Sequence, residues 1–432
     1  MVTKSFRLAA VPLALGLALA AGAHAQISDG VVKIGILTDM SGPYSSFGGK
    51  GSVVATNLAI EDCLKAECSG MKIEVLSADH QNKADIASSK AREWLDRDRV
   101  DAFADLTNSA AALSVQKLLK EKSAIGLFTG AATTRLTNED CGPTSFHWMF
   151  DTYSASAGAA AALTKAGGKS WYFLTVDYAF GHSLEKDATE MVKANGGNVV
   201  GSVRHPLNAS DFSSFIMQAQ ASKAQVIGMA NATQDAVNTI KASREFGIVD
   251  KGQKLAALML QVTDVHAMGL QVAQGLVSSE GFYWDLDDQT RAFSARFEKV
   301  HKVKPNQVHA GVYSSVLHYL KSVAAAKSDA PPRRGRQDAR AAHQGRRDAQ
   351  RQHPPRWACG ARHAAGGSEE ARPVQGRVGL LQHPGHHPCQ YGVHAAGAVA
   401  VLAGQKISAR PGRCHPARPE RLARILPTFR TS

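Results

Sequence analysis

The residues best suited to chemistry in this chain are small hydroxyls and amides at the ends of short apolar runs. Thr107, Asn108 and Ser109 follow Val100-Asp-Ala-Phe-Ala104, a strand candidate, and precede a helix carrying Leu113, Val115, Leu118 and Leu119. Residues of this type cap helices. The first N–H groups of a helix have no partner inside it, and its dipole favours negative charge there, so the junction can hold an anion. It has no glycine-rich phosphate cradle, so the expected anion is a carboxylate rather than a nucleotide. The plainer alternative is an ordinary strand-cap-helix junction.

Other strand ends carry similar groups. Ala124-Ile-Gly-Leu-Phe128 runs into Thr129, Gly130 and Ala131, and Gln225-Val-Ile-Gly-Met229 into Ala230 and Asn231. Hydroxyls and backbone N–H groups at these points can hold a carboxylate, and Asp264 can hold an ammonium. Tyr44, Tyr178 and Trp284 can cover an apolar or cationic body. Each has an alternative. Tyr44 can be a solvated loop residue, Tyr178 and Trp284 can be core, and Asp264 can cap the short helix after it.

The elements that must position these groups alternate along the chain. Val31 to Leu37, Met71 to Leu76, Val100 to Ala104 and Ala124 to Phe128 read as strands with helical stretches between them. Phe146 to Phe150 reads as a segment crossing between lobes. The pattern then repeats with strands at Lys169 to Val176, Asn198 to Arg204, Gln225 to Met229 and Lys254 to Leu260. Helices at Asp288 to His301 and Gln307 to Ala326 close the readable part. This order predicts an α/β fold of two doubly wound parallel-sheet lobes joined by a hinge. The expected lobes are residues 31–146, with 281–326 returning to them, and 147–280. In open parallel sheets ligands bind outside the carboxyl ends of the strands, and two facing sheets make a cleft there.

Composition divides near Ala330. Up to there Lys+Arg equals Asp+Glu, 32 against 32, whereas residues 331–432 hold 18 basic and 5 acidic residues and so carry the whole +13. A neutral ordered part argues against nucleic acid. The tail also holds 11 of the 16 prolines and 8 of the 17 histidines, a composition expected to be disordered. It reads as translated out of frame: with one base dropped, Gly376 to Pro388 decodes under permitted codons as GEWDYYNILATI, an ordinary folded-protein string. A genuine tail would instead read as a basic nucleic-acid arm.

Met1 to Ala25 reads as a secretory signal, with Lys4 and Arg7 before an apolar run and Ala23-His-Ala25 as the cleavage site. In an oxidising compartment Cys63 and Cys68 can pair, with Cys141 left as a free thiol. No cofactor or metal is expected. G-x-S-x-G, H-E-x-x-H and G-x-G-x-x-G after a strand are all missing from the sequence, so it reads as no enzyme.

KIGILTDMSGPYSSFGG, SADHQNKADIA, DLTNSAAA, TVDYAFG, VRHPLNASDFSSF, VIGMANA and EGFYWDL occur in that order over Val31 to about Ala326. Together they resemble the type I periplasmic binding proteins of the branched-chain amino acid (Leu/Ile/Val) transport family. The resemblance implies a monomeric periplasmic receptor delivering a small ligand to the membrane permease subunits of an ABC importer. It places Ser109 and Thr129–Ala131 at the ligand carboxylate, Asp264 near the ammonium, and Tyr44 and Tyr178 as aromatic covers, with Asn231 matching less clearly. The same scaffold takes amides and aromatic acids, and a signalling receptor is the rival role. The family continues with further strands and a third crossover beyond Ala326, so the chain as written is expected to close poorly.

Overall fold

The computed structural model describes residues 27–274, 276, 278–330 and 399–400. The signal segment lies outside the described residues, as does the basic tail apart from two residues.

The first sheet is built from β1 (Val32–Thr38), β2 (Ile73–Asp79), β3 (Ala102–Asp105), β4 (Ile125–Phe128) and β5 (Ser145–His147). They lie parallel in the order β2-β1-β3-β4-β5. The intervening helices are α1 (Gly49–Leu64), α2 (Ala84–Glu93) and α3 (Ser109–Lys122). β5 corrects one expectation. Ser145–His147 pairs with β4 as an edge strand instead of crossing between lobes, so the crossover begins after His147. Three residues are too few to announce a strand by periodicity.

The chain then enters α4 (Thr152–Lys165), β6 (Ser170–Val176), α5 (Ala179–Ala194), β7 (Asn198–His205), α6 (Ser213–Ala221), β8 (Val226–Ala230), α7 (Thr233–Glu245) and β9 (Lys254–Ala257). The second sheet is parallel in the order β7-β6-β8-β9. Short helices α8 (Val262–Met268) and α9 (Leu270–Ala273) lead to β10 (Ser279–Glu280). α10 (Asp288–His301) and α11 (Gln307–Ala326) then pack on α1. β10 pairs antiparallel with β11 (Val399–Ala400), so this piece of the segment expected to be disordered forms a strand.

Strand faces alternate as a sheet covered on both sides requires. Ile34 and Ile36 of β1 join a core that runs on to Trp171 and Phe173, whereas Leu37 faces a second core with Phe103, Phe128 and Leu119. Leu174, Ile227 and Met229 hold the far face of the second sheet against Ile216 and Ile240.

Cys63 at the end of α1 is disulfide-bonded to Cys68, with Cα atoms 5.0 Å apart. Cys141 is disulfide-bonded too, which corrects its reading as a free thiol. The odd count arose from dividing six cysteines at residue 330. Among the described residues no helix is long and apolar enough to cross a membrane.

Candidate functional site

The stretch from Asp105 to Ser109 folds as a helix cap on a strained turn. Asp105 (φ 77°) and Leu106 (φ 59°) are consecutive left-handed residues at the end of β3. They aim Thr107, Asn108 and Ser109 into α3. Asn108 is the N-cap, its Oδ1 accepting from Ala111 N at 2.9 Å, and its Nδ2 donates to Asn82 Oδ1 at 2.6 Å. Thr107 Oγ1 accepts from Asp39 N at 3.1 Å, and Asp39 in turn accepts from Tyr44 N at 2.9 Å. The cap, the turn and the Tyr44 loop are therefore one hydrogen-bonded wall.

Asp105 lies beneath it. Ser52 Oγ donates to its Oδ2 at 2.6 Å, while Oδ1 is buried without a partner. Burial pushes this carboxyl up to about 6. Gly130 approaches closely: a Cβ there would sit 2.4 Å from Asp105 Oδ1, so only glycine fits.

Ser109 is 1% exposed, and its Oγ accepts from Thr133 N at 3.3 Å. The amides of Ser109, Ala110, Ala131 and Ala132 have no acceptor among the described residues. Ser109 Oγ, Thr133 Oγ1 and these N–H groups are uncharged donors shared between the N-terminus of α3 and the segment after β4. Thr133 also reaches the other lobe, its Oγ1 lying 2.6 Å from Ser183 Oγ on α5. Beside it, Thr134 Oγ1 (3.2 Å) and Thr152 Oγ1 (2.5 Å) donate to Asp187 Oδ2. Burial raises the Asp187 carboxyl.

The aromatic covers also meet across the lobes. Tyr178 Oη donates to Tyr44 Oη at 2.7 Å, with ring centroids 6.5 Å apart. Tyr44 is 3% exposed, which removes the solvated-loop alternative. Burial raises both phenols.

A family model described as periplasmic binding protein matches residues 31–344. The chain belongs to the periplasmic binding protein family. A periplasmic binding protein from Burkholderia mallei is 50% identical, with a TM-score of 0.68 over 70% of this chain and 80% of that one. A branched chain amino acid ABC transporter periplasmic ligand-binding protein from Burkholderia xenovorans is 39% identical, with a TM-score of 0.61 over 69% and 80%. The Leu/Ile/Val-binding protein homolog 6 of Brucella suis is 26% identical over 244 residues, 55% of this chain. The match spans 61% of that curated relative's length.

In this periplasmic binding protein several expected site residues are engaged elsewhere. Thr129 and Gly130 give their amides to Asp105 O, at 3.2 and 3.3 Å. The Thr129 side chain lies against α11, its Cβ 3.4 Å from where a Cβ on Gly311 would stand, and its Oγ1 is buried without a partner. Ala131 O accepts from His147 Nε2 at 2.7 Å. Asn231 is fully buried inside the second lobe, with Nδ2 3.1 Å from His205 Nε2 and 3.0 Å from Thr239 Oγ1. Asp264 accepts from Gln261 N at 3.0 Å and caps α8, and burial pushes it up to about 6. Trp284 has His266 (6.0 Å) and Tyr283 (5.2 Å) as ring neighbours and lines a surface cavity of about 280 Å³ with Arg291 and Lys304. Among the described residues neither Asp264 nor Trp284 is hydrogen-bonded to Ser109.

Sequence reasoning missed Thr133, Ser183 and Asp187. Their type offered a signal, since Thr133 and Thr134 follow the small run after β4. Their pairing, between residues about 50 apart, left no local trace. Glu280 was missed as well. It is buried, accepts from Val262 N at 2.9 Å, and is raised well above the usual range by burial, with Asp264 adding to the rise.

Proposed function

We propose that this chain is the solute-binding component of an ABC importer. It holds a small carboxylate-bearing solute between two lobes in the periplasm and presents it to membrane permease subunits. The proposed lobes are residues 31–147 with 281–326, and 148–280. The observation that carries the reading is the donor cradle of Ser109 and Thr133 at the N-terminus of α3, with its free amides and no charge of its own. Such a cradle suits an anionic head, and the Tyr44–Tyr178 pair closes over a small body. The names of two relatives point to a branched-chain amino acid.

A carboxylate without an ammonium, such as an aromatic or short-chain acid, is the second reading. It is favoured by Asp264 and Glu280, which already accept backbone N–H bonds and are both shifted toward the protonated form. A thermal-shift screen of leucine, isoleucine, valine, short amides and benzoates separates the two, because a ligand raises the melting temperature of the folded state alone. No shift with any carboxylate overturns the reading. Co-purification with permease subunits, rather than with a signalling receptor, tests the transport role.

A further inference from the structure

α11 meets both crossovers along one stripe. Gln307 Oε1 accepts from Gly281 N at 3.0 Å on the second crossover. A Cβ on Gly311 would stand 3.2 Å from Met149 on the first, and Ser314 Oγ accepts from Trp148 Nε1 at 2.9 Å. Positions 307, 311 and 314 are spaced four and three apart, so they share one helix face.

The first turn of α11 also grips the cleft wall. Asn306 Nδ2 donates to Ser46 O at 3.3 Å and to Phe47 O at 3.0 Å. His309 Nδ1 accepts from Asn306 N at 3.2 Å, which leaves Nε2 as the protonated nitrogen, 3.0 Å from Gly48 O. These three carbonyls belong to the loop that carries Tyr44.

Gln307 has one more partner. Its Nε2 donates to Gln261 Oε1 at 3.1 Å, and both side chains are 2% exposed. Gln261 is the N-cap of α8 in the second lobe. A single carboxamide thus ties a first-lobe helix to a crossover with its oxygen and to the opposite lobe with its nitrogen. Its neighbours in sequence hold the Tyr44 loop. A buried amide–amide bond of this kind has no water to replace it while the lobes are together.

We propose that Gln307 is a positioning residue for solute retention, coupling the closed arrangement of the second lobe, through its bond to Gln261, to the crossover at Gly281 and the Tyr44 wall. It touches no solute. The proposal rests on the solute-binding reading for its consequence and on geometry alone for the coupling.

The test uses the full chain with Gln307→Leu, Gln261→Leu, both together, and Gln307→Glu. Glutamate keeps the acceptor for Gly281 N, and at about pH 5, where burial keeps its carboxyl protonated, its O–H can donate to Gln261 Oε1, so at that pH it should behave as wild type. Small-angle scattering of the solute-free protein should show a larger radius of gyration for either leucine variant, and the double variant should equal the singles. With L-leucine as probe, koff should rise about fivefold in the leucine variants while kon stays unchanged. Gln261→Leu leaves the Gly281 bond intact and keeps the test open if Gln307→Leu does not fold. An unchanged radius, or a glutamate variant as open as the leucine one while its carboxyl is protonated, overturns the proposal. If wild type does not bind L-leucine, the functional reading fails for that solute, and scattering still decides the role of Gln307.

Discussion

Tyr178 and Tyr44, 134 residues apart, join their hydroxyls across the cleft at 2.7 Å. Each comes from a different lobe, and each phenol is one that burial holds neutral. The bond exists only while the lobes are together. Tyr178→Phe should therefore weaken solute binding and, because the bond is already made without solute, lower the melting temperature of the solute-free protein by about 2 °C. A net contribution of about 1 kcal/mol corresponds to about fivefold in Kd. Stopped-flow release should place the change in koff.

Ser109→Ala and Thr133→Val should each weaken carboxylate binding by about tenfold, because each removes a group from the cradle while leaving the Asn108 cap in place. Isothermal titration with an acid and its primary amide checks the specificity: the acid should lose more. Unchanged affinity for the acid returns Ser109 to an ordinary first helical residue.

Asp105 sets a pH dependence with a definite sign. Burial disfavours the charge and pushes its folded carboxyl up to about 6, against 3.8 for a solvated aspartate. The folded state binds this proton more tightly than the unfolded one. Stability from it is present below about 4 and lost as pH rises through 6, a change of about 3 kcal/mol. Asp105→Asn should remove that loss, so the variant's melting temperature relative to wild type should climb between pH 4.5 and pH 7.5. A flat difference over that range would falsify the assignment.

The Cys63–Cys68 bridge closes a short loop five residues in span at the end of α1. Replacing both with serine should cost about 2 kcal/mol of stability, measured by denaturant unfolding. Solute affinity should not change, since the cradle and the Tyr44 loop are held by other contacts.

The two-lobe parallel architecture was legible because apolar runs and helical periodicity alternate along the chain, and both are local patterns. The Asn108 cap was legible for the same reason: its partner is three residues away. Asp264 shows how type and position can leave two roles open together. Three residues into a helix an acid satisfies the cap, and the family resemblance made it an ammonium partner, while its visible bond is the cap. Trp284 illustrates the other gap, because an indole fits a core, a cleft or a surface cavity equally well and only the fold decides. Thr133 with Ser183, and Gln307 with Gln261, are matched across lobes, and nothing in either neighbourhood names its partner.

The striping of α11 makes this helix sensitive to length more than to composition. One residue inserted after Gly311 would turn everything downstream by about 100° and advance it by about 1.5 Å. Gln307 and Gly311 would keep their crossovers, while Ser314 would swing away from Trp148, and Tyr313 and Lys321 from Asp62 and Glu67 on the α1 side. Such an insertion adds no charge, breaks no cap and removes no side chain. It would nevertheless do more harm than most single replacements along the same twenty residues, so a scan of deletions and insertions should mark α11 as a segment whose phase, rather than its chemistry, is under constraint.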